Sequence, residues 1–323
     1  MTEQTPPLPH EHTKTRPLTG IGFRPRFRQD IFLHRAEVEV LELTLDHYLL
    51  TTWEKQEELA LLQANFTLIP HGLHLSLGSA EGLDLDYLKR VAKLIRKLDP
   101  PFWSEHIAFT HADGREIGHL MPLPFSREAI RVVCRNLETV RRFIPHPLLL
   151  ENIAALFRMP GGELSEAQFL SELVEKSGCD LLLDVMNLHA NALNHGEDAQ
   201  TMLNHLPLEK VRQLHFVGGH LSGGKLIDSH AHPTPEAVWL LMEKVMQHAP
   251  IEALILERDE NFPPFAELAA ELRRAQVMWK NLHGQNAAPA QAFPQVHTHA
   301  QVHAQPHTHT HTHAHAHEEN TPS

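Results

Sequence analysis

The chain has 323 residues, 42 % hydrophobic and 21 % charged, with a formal net charge of −12 when histidine is neutral. Those proportions belong to a folded protein with a substantial core, and the acidic balance excludes tracking of a phosphate backbone, so no nucleic-acid partner is expected. No run approaches the ~18 consecutive apolar residues of a membrane helix, and the polar, proline-rich start lacks the apolar region of a secretory signal.

Residues 1–17 read as a polar N-terminal arm. From Leu18 to His283 short apolar runs alternate with amphipathic stretches. The expected strands are Thr19–Phe23, Val38–Leu45, Phe66–Pro70, Phe102–Ala108, Leu148–Asn152, Asp180–Asp184, Val211–Phe216 and Ala253–Glu257. Nearly unbroken runs such as Leu181-Leu182-Leu183 suit parallel strands covered on both faces. Helical patterns lie between them, among them Trp53–Gln63, Asp84–Leu98, Glu128–Phe143 and Thr234–Gln247. Ser165 with Gln168 has the form of a capping box, and Thr234-Pro235 reads as an N-cap followed by proline at the first helical position. Eight alternations over residues 18–283 predict a single (β/α)8 TIM barrel, with a doubly wound open sheet as the other arrangement that periodicity allows. Residues 284–323 hold almost nothing to bury and are expected to form a disordered His-rich tail. Of 28 histidines, nine lie between His297 and His317, and nineteen remain for the rest of the chain.

A barrel enzyme draws its site from the C-terminal ends of its strands. Here those ends carry His71, Glu105 with His106, Glu151-Asn152, Asp184 with Asn187, His215, Asp228-Ser229-His230 and Glu257. Carboxylates and imidazoles gathered in one pocket need cations, because like charges repel and desolvation is costly. Mixed nitrogen and oxygen ligation suits zinc, iron or manganese. Cys134 and Cys179 make no metal-binding spacing and no disulfide framework, and neither is expected to be a nucleophile. A reducing cytoplasm is the expected compartment. Several features carry blander readings. Gly218-Gly219 and Gly223-Gly224 flank His220 in a flexible loop, Asn194-His195-Gly196 is a turn, Arg24 is a solvated loop residue, and Trp53, Trp103, Trp239 and Trp279 are packing residues. No residue can be given a catalytic role beyond metal ligation.

As a set, these motifs resemble the multinuclear non-haem iron-dependent oxidases typified by the iron subunit of methanobactin oxazolone synthase. The matching pieces include Gly20-Ile21-Gly22-Phe23-Arg24-Pro25, Glu42, Asp46-His47-Tyr48, the segment His71–Gly78, Ser104-Glu105-His106, Leu149-Leu150-Glu151-Asn152, Asp184–Asn187, Asn194-His195-Gly196, His215, Gly219-His220, Leu226–His230 and Glu257-Arg258-Asp259. The family commonly has aspartate where Glu105 stands, asparagine where Met186 stands and Glu-Asn-Tyr in place of Asp46-His47-Tyr48. The resemblance implies a xylose isomerase/endonuclease IV-like barrel holding two or three irons, with dioxygen as co-substrate. His71, His106 and Glu151 would hold one metal. Glu151 would bridge to a second held by Asp184, His215 and Glu257, and Asn187, Asp228 and His230 would hold a third. It further implies a small cysteine-containing, ribosomally made peptide as substrate and a partner protein that presents it. A zinc- or manganese-dependent phosphodiesterase of the endonuclease IV type, and a non-catalytic metal-handling protein, are the alternatives.

Overall fold

The computed structural model describes residues 16–50 and 52–284. Most of the expected arm and all of the tail beyond Gly284 lie outside the described residues. Twelve strands are present among them: β1 (Leu18–Gly22), β2 (Val40–Thr44), β3 (Thr67–Gly72), β4 (Trp103–His106), β5 (Phe109–Ala112), β6 (Arg115–Met121), β7 (Leu148–Glu151), β8 (Asp180–Asp184), β9 (Val211–Phe216), β10 (Gly218–Ser222), β11 (Lys225–His232) and β12 (Ala253–Leu256). The helices are α1 (Arg28–Leu33), α2 (Trp53–Gln63), α3 (Leu85–Leu98), α4 (Arg127–Phe143), α5 (Glu166–Ser177), α6 (Val185–His195), α7 (Ala199–Asn204), α8 (Glu236–His248) and α9 (Phe265–His283).

Eight parallel strands close in the order β1-β12-β9-β8-β7-β4-β3-β2, which is the expected barrel. Alternation along each strand divides the core in two. Inside the barrel Leu18, Val40, Ile69, Phe102, Leu149, Leu182, Ala253 and Ile255 form an apolar plug. The outward residues join the helix faces in a larger cluster, where Trp103, Trp239 and Trp279 are buried. Trp53 departs from the packing role expected of it. It opens α2 at the helix's solvent side and is 63 % exposed.

Helix boundaries follow local chemistry. The Asp84 carboxylate caps α3 by accepting from the Asp86 and Tyr87 amides, and Ser165 and Gln168 form the capping box of α5. Thr234 does not cap α8. Pro235 occupies the N-cap, because the Thr234 amide donates to Glu271 and its carbonyl accepts from the Trp239 indole, which holds it outside the helix.

Two loops on the C-terminal face carry antiparallel hairpins that hydrophobic periodicity did not disclose. Strands β5 and β6 follow β4, and β10 and β11 follow β9. The loop expected around His220 is therefore ordered. Gly223 and Gly224, at φ +55° and +78°, make the two-residue turn between β10 and β11, a geometry that β-carbons resist. Asn194-His195-Gly196 ends α6, with Gly196 as the left-handed cap. The Asn194 side chain also donates to the Leu226 carbonyl (2.9 Å) and accepts from the Leu226 amide (2.7 Å), tying β11 to the barrel.

Candidate metal centre

The same alternation that builds the plug builds the site above it. Two residues beyond Ile69 stands His71, beyond Leu149 Glu151, beyond Leu182 Asp184, and beyond Ile255 Glu257. Each side chain thus points into the barrel, one layer closer to its C-terminal mouth. His71, Glu151, Asp184, His215 and Glu257 are all buried.

Three groups of ligand-type atoms converge, each group within 4.8 Å: His71, His106 and Glu151; Glu151, Asp184, His215 and Glu257; and His230, Glu257 and Asp259. Glu151 belongs to the first two. Its Oε2 lies 3.3 Å from His71 Nε2 and 3.2 Å from His106 Nε2, and its Oε1 is 3.1 Å from His215 Nδ1. Glu257 joins the second and third groups, 3.0 Å from His215 Nδ1 and 3.7 Å from His230 Nδ1.

The remote ring nitrogens are committed elsewhere. His71 Nδ1 lies 2.8 Å from Ser104 Oγ, and His106 Nδ1 lies 3.0 Å from the Gly72 carbonyl. Donation from Nδ1 leaves the Nε2 lone pair of both rings facing Glu151, the arrangement found behind metal-bound imidazoles. His215 is turned the other way. Its Nε2 meets Glu42 Oε2 at 2.8 Å, so Nδ1 faces the second group.

The residues fit a set of cations on one further observation. Glu151 Oε2, Asp184 Oδ2, Asn187 Oδ1 and Asp228 Oδ1 are buried acceptors that receive no hydrogen bond. Buried oxygens left in that state are costly unless an ion occupies their lone pairs. The charge balance points the same way. Burial alone lowers the His106 pKa, yet Glu151 and Glu105 reverse this and raise it to about 9. Burial, then Asp228 and Glu151, push the Asp184 carboxyl well above its ordinary range. Cations among these carboxylates would supply the positive charge that such shifts call for.

All nine residues read from the sequence as ligands line this mouth or its rim, but the third group is arranged differently from the expectation. His230 has Glu257 and Asp259 on its Nδ1 side and Asp228 on its Nε2 side, at 2.8 Å. Asn187 sits in the first turn of α6, where its amide donates to Asp184 Oδ1 (2.6 Å) and its Nδ2 to the Asn152 carbonyl. Glu105 accepts from the amides of His106 and Leu75 and so supports the loop after β3. Arg24 is not a solvated residue. It pairs with Asp259. Sequence reasoning gave no role to Glu42 or Gln213, and a charged residue in the apolar run Val40-Leu41-Glu42-Leu43 was the available signal. Cys134 and Cys179 are free, and burial raises both thiol pKa values, against nucleophilic use. Among the described residues no helix is long and apolar enough to cross a membrane.

Solved structures share this fold. A xylose isomerase domain protein from Planctomyces limnophilus superposes with a TM-score of 0.54 at 16 % identity, covering 83 % of this chain and 98 % of that one. D-psicose 3-epimerase from Clostridium cellulolyticum H10 gives 0.52 at 11 % identity over 82 % and 99 %. Likenesses this distant establish the xylose isomerase-like barrel and nothing further. Closer in sequence is a UPF0276 protein of Caulobacter vibrioides, 34 % identical over 262 residues, 80 % of this chain and 93 % of that one. Another, from Bordetella pertussis, is 37 % identical over 79 % and 90 %. A third, from Streptomyces avermitilis, is 39 % identical over 79 % of this chain, but the chain spans only 53 % of that relative's length. The family model for the RiPP precursor modification enzymes MbnB/TglH/ChrH matches residues 18–280, essentially the whole barrel. The chain belongs to the MbnB/TglH/ChrH family of RiPP precursor modification enzymes.

Proposed function

We propose that the protein is a multinuclear iron-dependent oxidase that uses dioxygen to modify cysteine residues of a small ribosomally made peptide, which a partner protein presents to it. The observation that carries this reading is the Glu151 carboxylate, set between two ligand groups with one oxygen facing each. A carboxylate in that position suits a bridge between two cations. His71, His106 and Glu151 would hold one iron, and Glu151, Asp184, His215 and Glu257 a second. Asn187, Asp228 and His230 would hold a third, with Glu257 and Asp259 close enough to share in it. The donor set of imidazole nitrogen and carboxylate or amide oxygen suits iron and offers no thiolate from the chain itself.

Iron held there supplies redox chemistry with dioxygen and an open position for a substrate thiolate. The chain's part is to fix coordination and exclude water. Ser104 and the Gly72 carbonyl orient the rings of His71 and His106, and the apolar plug closes the barrel beneath them. Family membership supports a peptide substrate.

The test is metal analysis of protein purified under low oxygen, followed by co-expression with a cysteine-containing peptide encoded beside its gene, with and without an adjacent partner protein. At least two irons per chain and a mass change in the peptide are expected. Glu151→Gln and His215→Ala should each lower iron content. Bound zinc with phosphodiesterase activity, or full iron occupancy in both variants, would overturn the reading.

A further inference from the structure

A cavity of about 370 Å³ opens at the loop that follows Glu151. Its walls include Phe125, Phe157, Met159 and Leu164, and Glu166 and Asn191 lie within its lining. A second, much smaller cavity shares Phe125 and Glu166 in its walls and is also lined by Ile107 and Asn152, the residues that follow His106 and Glu151. The two cavities thus share walls, and the smaller one borders the ends of β4 and β7. The volume of the larger one lies near the small end of the roughly 300–1,000 Å³ range of ligand pockets, room for a long side chain together with neighbouring peptide.

Glu166 is only 6 % exposed. Both its oxygens accept from one atom, Asn191 Nδ2, at 3.1 Å each. That nitrogen also donates to the Ile153 carbonyl, so the carboxylate shares a single N–H. Arg158, also in the cavity wall, pairs with Glu197 instead. A buried carboxylate with so little support, in a cavity walled partly by aromatic and aliphatic groups, either keeps its proton or takes a cation as partner.

We infer that this cavity is a subsite for an unbranched alkylammonium, the side chain of a lysine in the peptide substrate. The walls suit a methylene stem, with Phe125 and Phe157 supplying aromatic surface to it. An ammonium suits better than a guanidinium, because the Asn191 N–H already sits across the edge that a planar fork would need. A free amino terminus would bring the same charge, but its α-carbon branches at once and fills the stem channel poorly. Burial, opposed by the Asn191 hydrogen bond, pushes the Glu166 carboxyl up to about 7. Glu197 raises it further and Arg158 lowers it, while His195, at the cavity edge, has its own pKa lowered by burial. Cation binding thus needs loss of a proton from Glu166, and affinity should rise about tenfold from pH 6 to pH 8.

The inference rests on the peptide-substrate reading, but its test needs neither peptide nor oxygen. Full-length protein is titrated with n-butylammonium chloride, n-butanol, Nα-acetyl-lysine methylamide and norleucine methylamide, with binding read by calorimetry and NMR. The ammonium should bind at least tenfold more tightly than butanol, and the acetyl-lysine probe more tightly than norleucine methylamide. Glu166→Gln should remove the preference for charge. Phe157→Lys, at a half-exposed rim position, should block the probe with its own ammonium, and it answers the question if the first variant fails to fold. Equal binding of butanol and butylammonium, or an unchanged preference in either folded variant, overturns the subsite and leaves the oxidase reading standing. Tighter binding of norleucine methylamide overturns the lysine assignment.

Discussion

Glu42 lies in the middle of β2, not at its end, and still reaches the centre. It accepts from Gln213 Nε2 (2.5 Å) and stands 2.8 Å from His215 Nε2. Gln213 and His215 share a strand face, so a layer of polar residues supports the ring from below. A search confined to the last residue of each strand misses this layer, because neighbouring strands in a closed barrel are staggered. Gly22, the last residue of β1, pairs with Glu42, the third of β2. Glu42→Gln removes the charge that holds His215 in its tautomer, and metal affinity should fall by about 10- to 100-fold with the fold retained, as read by chelator competition. Glu166 gives a second prediction. Its carboxyl is raised to about 7 in the folded protein. The unfolded chain therefore holds fewer protons between the ordinary glutamate range and pH 7, and stability falls as pH rises through that window. Glu166→Gln should stabilise the protein at pH 8 by up to roughly 3 kcal/mol and change little at pH 4, as measured by denaturant unfolding.

At the level of elements, the barrel strands were legible because each is short, apolar and buried on both faces, and their polar ends stood out against that background. The hairpins were not. Strand β11 contains Asp228, Ser229 and His230, so its polar residues serve the site and break the alternation that would have marked a strand. Strand β6 is largely exposed and has no apolar face to announce it. The turn at Gly223-Gly224 was visible as glycine but lacked flanking apolar runs. Since β11 carries two of the proposed ligands, its attachment matters. Asn194→Ala deletes two hydrogen bonds to Leu226, a local loss of about 2 kcal/mol. Metal bound through Asp228 and His230 should be lost first, while the first two ions and the circular dichroism of the barrel persist. Simultaneous loss of all three ions would mean that the hairpin is not an independent support.

For the molecule as a whole, the barrel is complete by α9, which ends at His283. Residues 285–323 lie outside the described residues, and their nine histidines are proposed to scavenge metal separately from the barrel site. Imidazole ligands follow the Irving–Williams order, so truncation after Gly284 should abolish weak Cu(II) or Ni(II) binding and leave barrel iron unchanged in metal analysis. Loss of barrel iron would show that the two sites are one. The closure of the ring by β1 against β12 has a consequence for biosynthesis. His215 meets a glutamate 173 residues earlier in the chain, and Glu257 comes last of the three carboxylates around it. The first group has all its residues once Glu151 is made, but the second group waits for Glu257 at the end of the eighth barrel strand. Metal in the second group would therefore mark a chain whose barrel has closed, and a chain that stops before Glu257 would lack it.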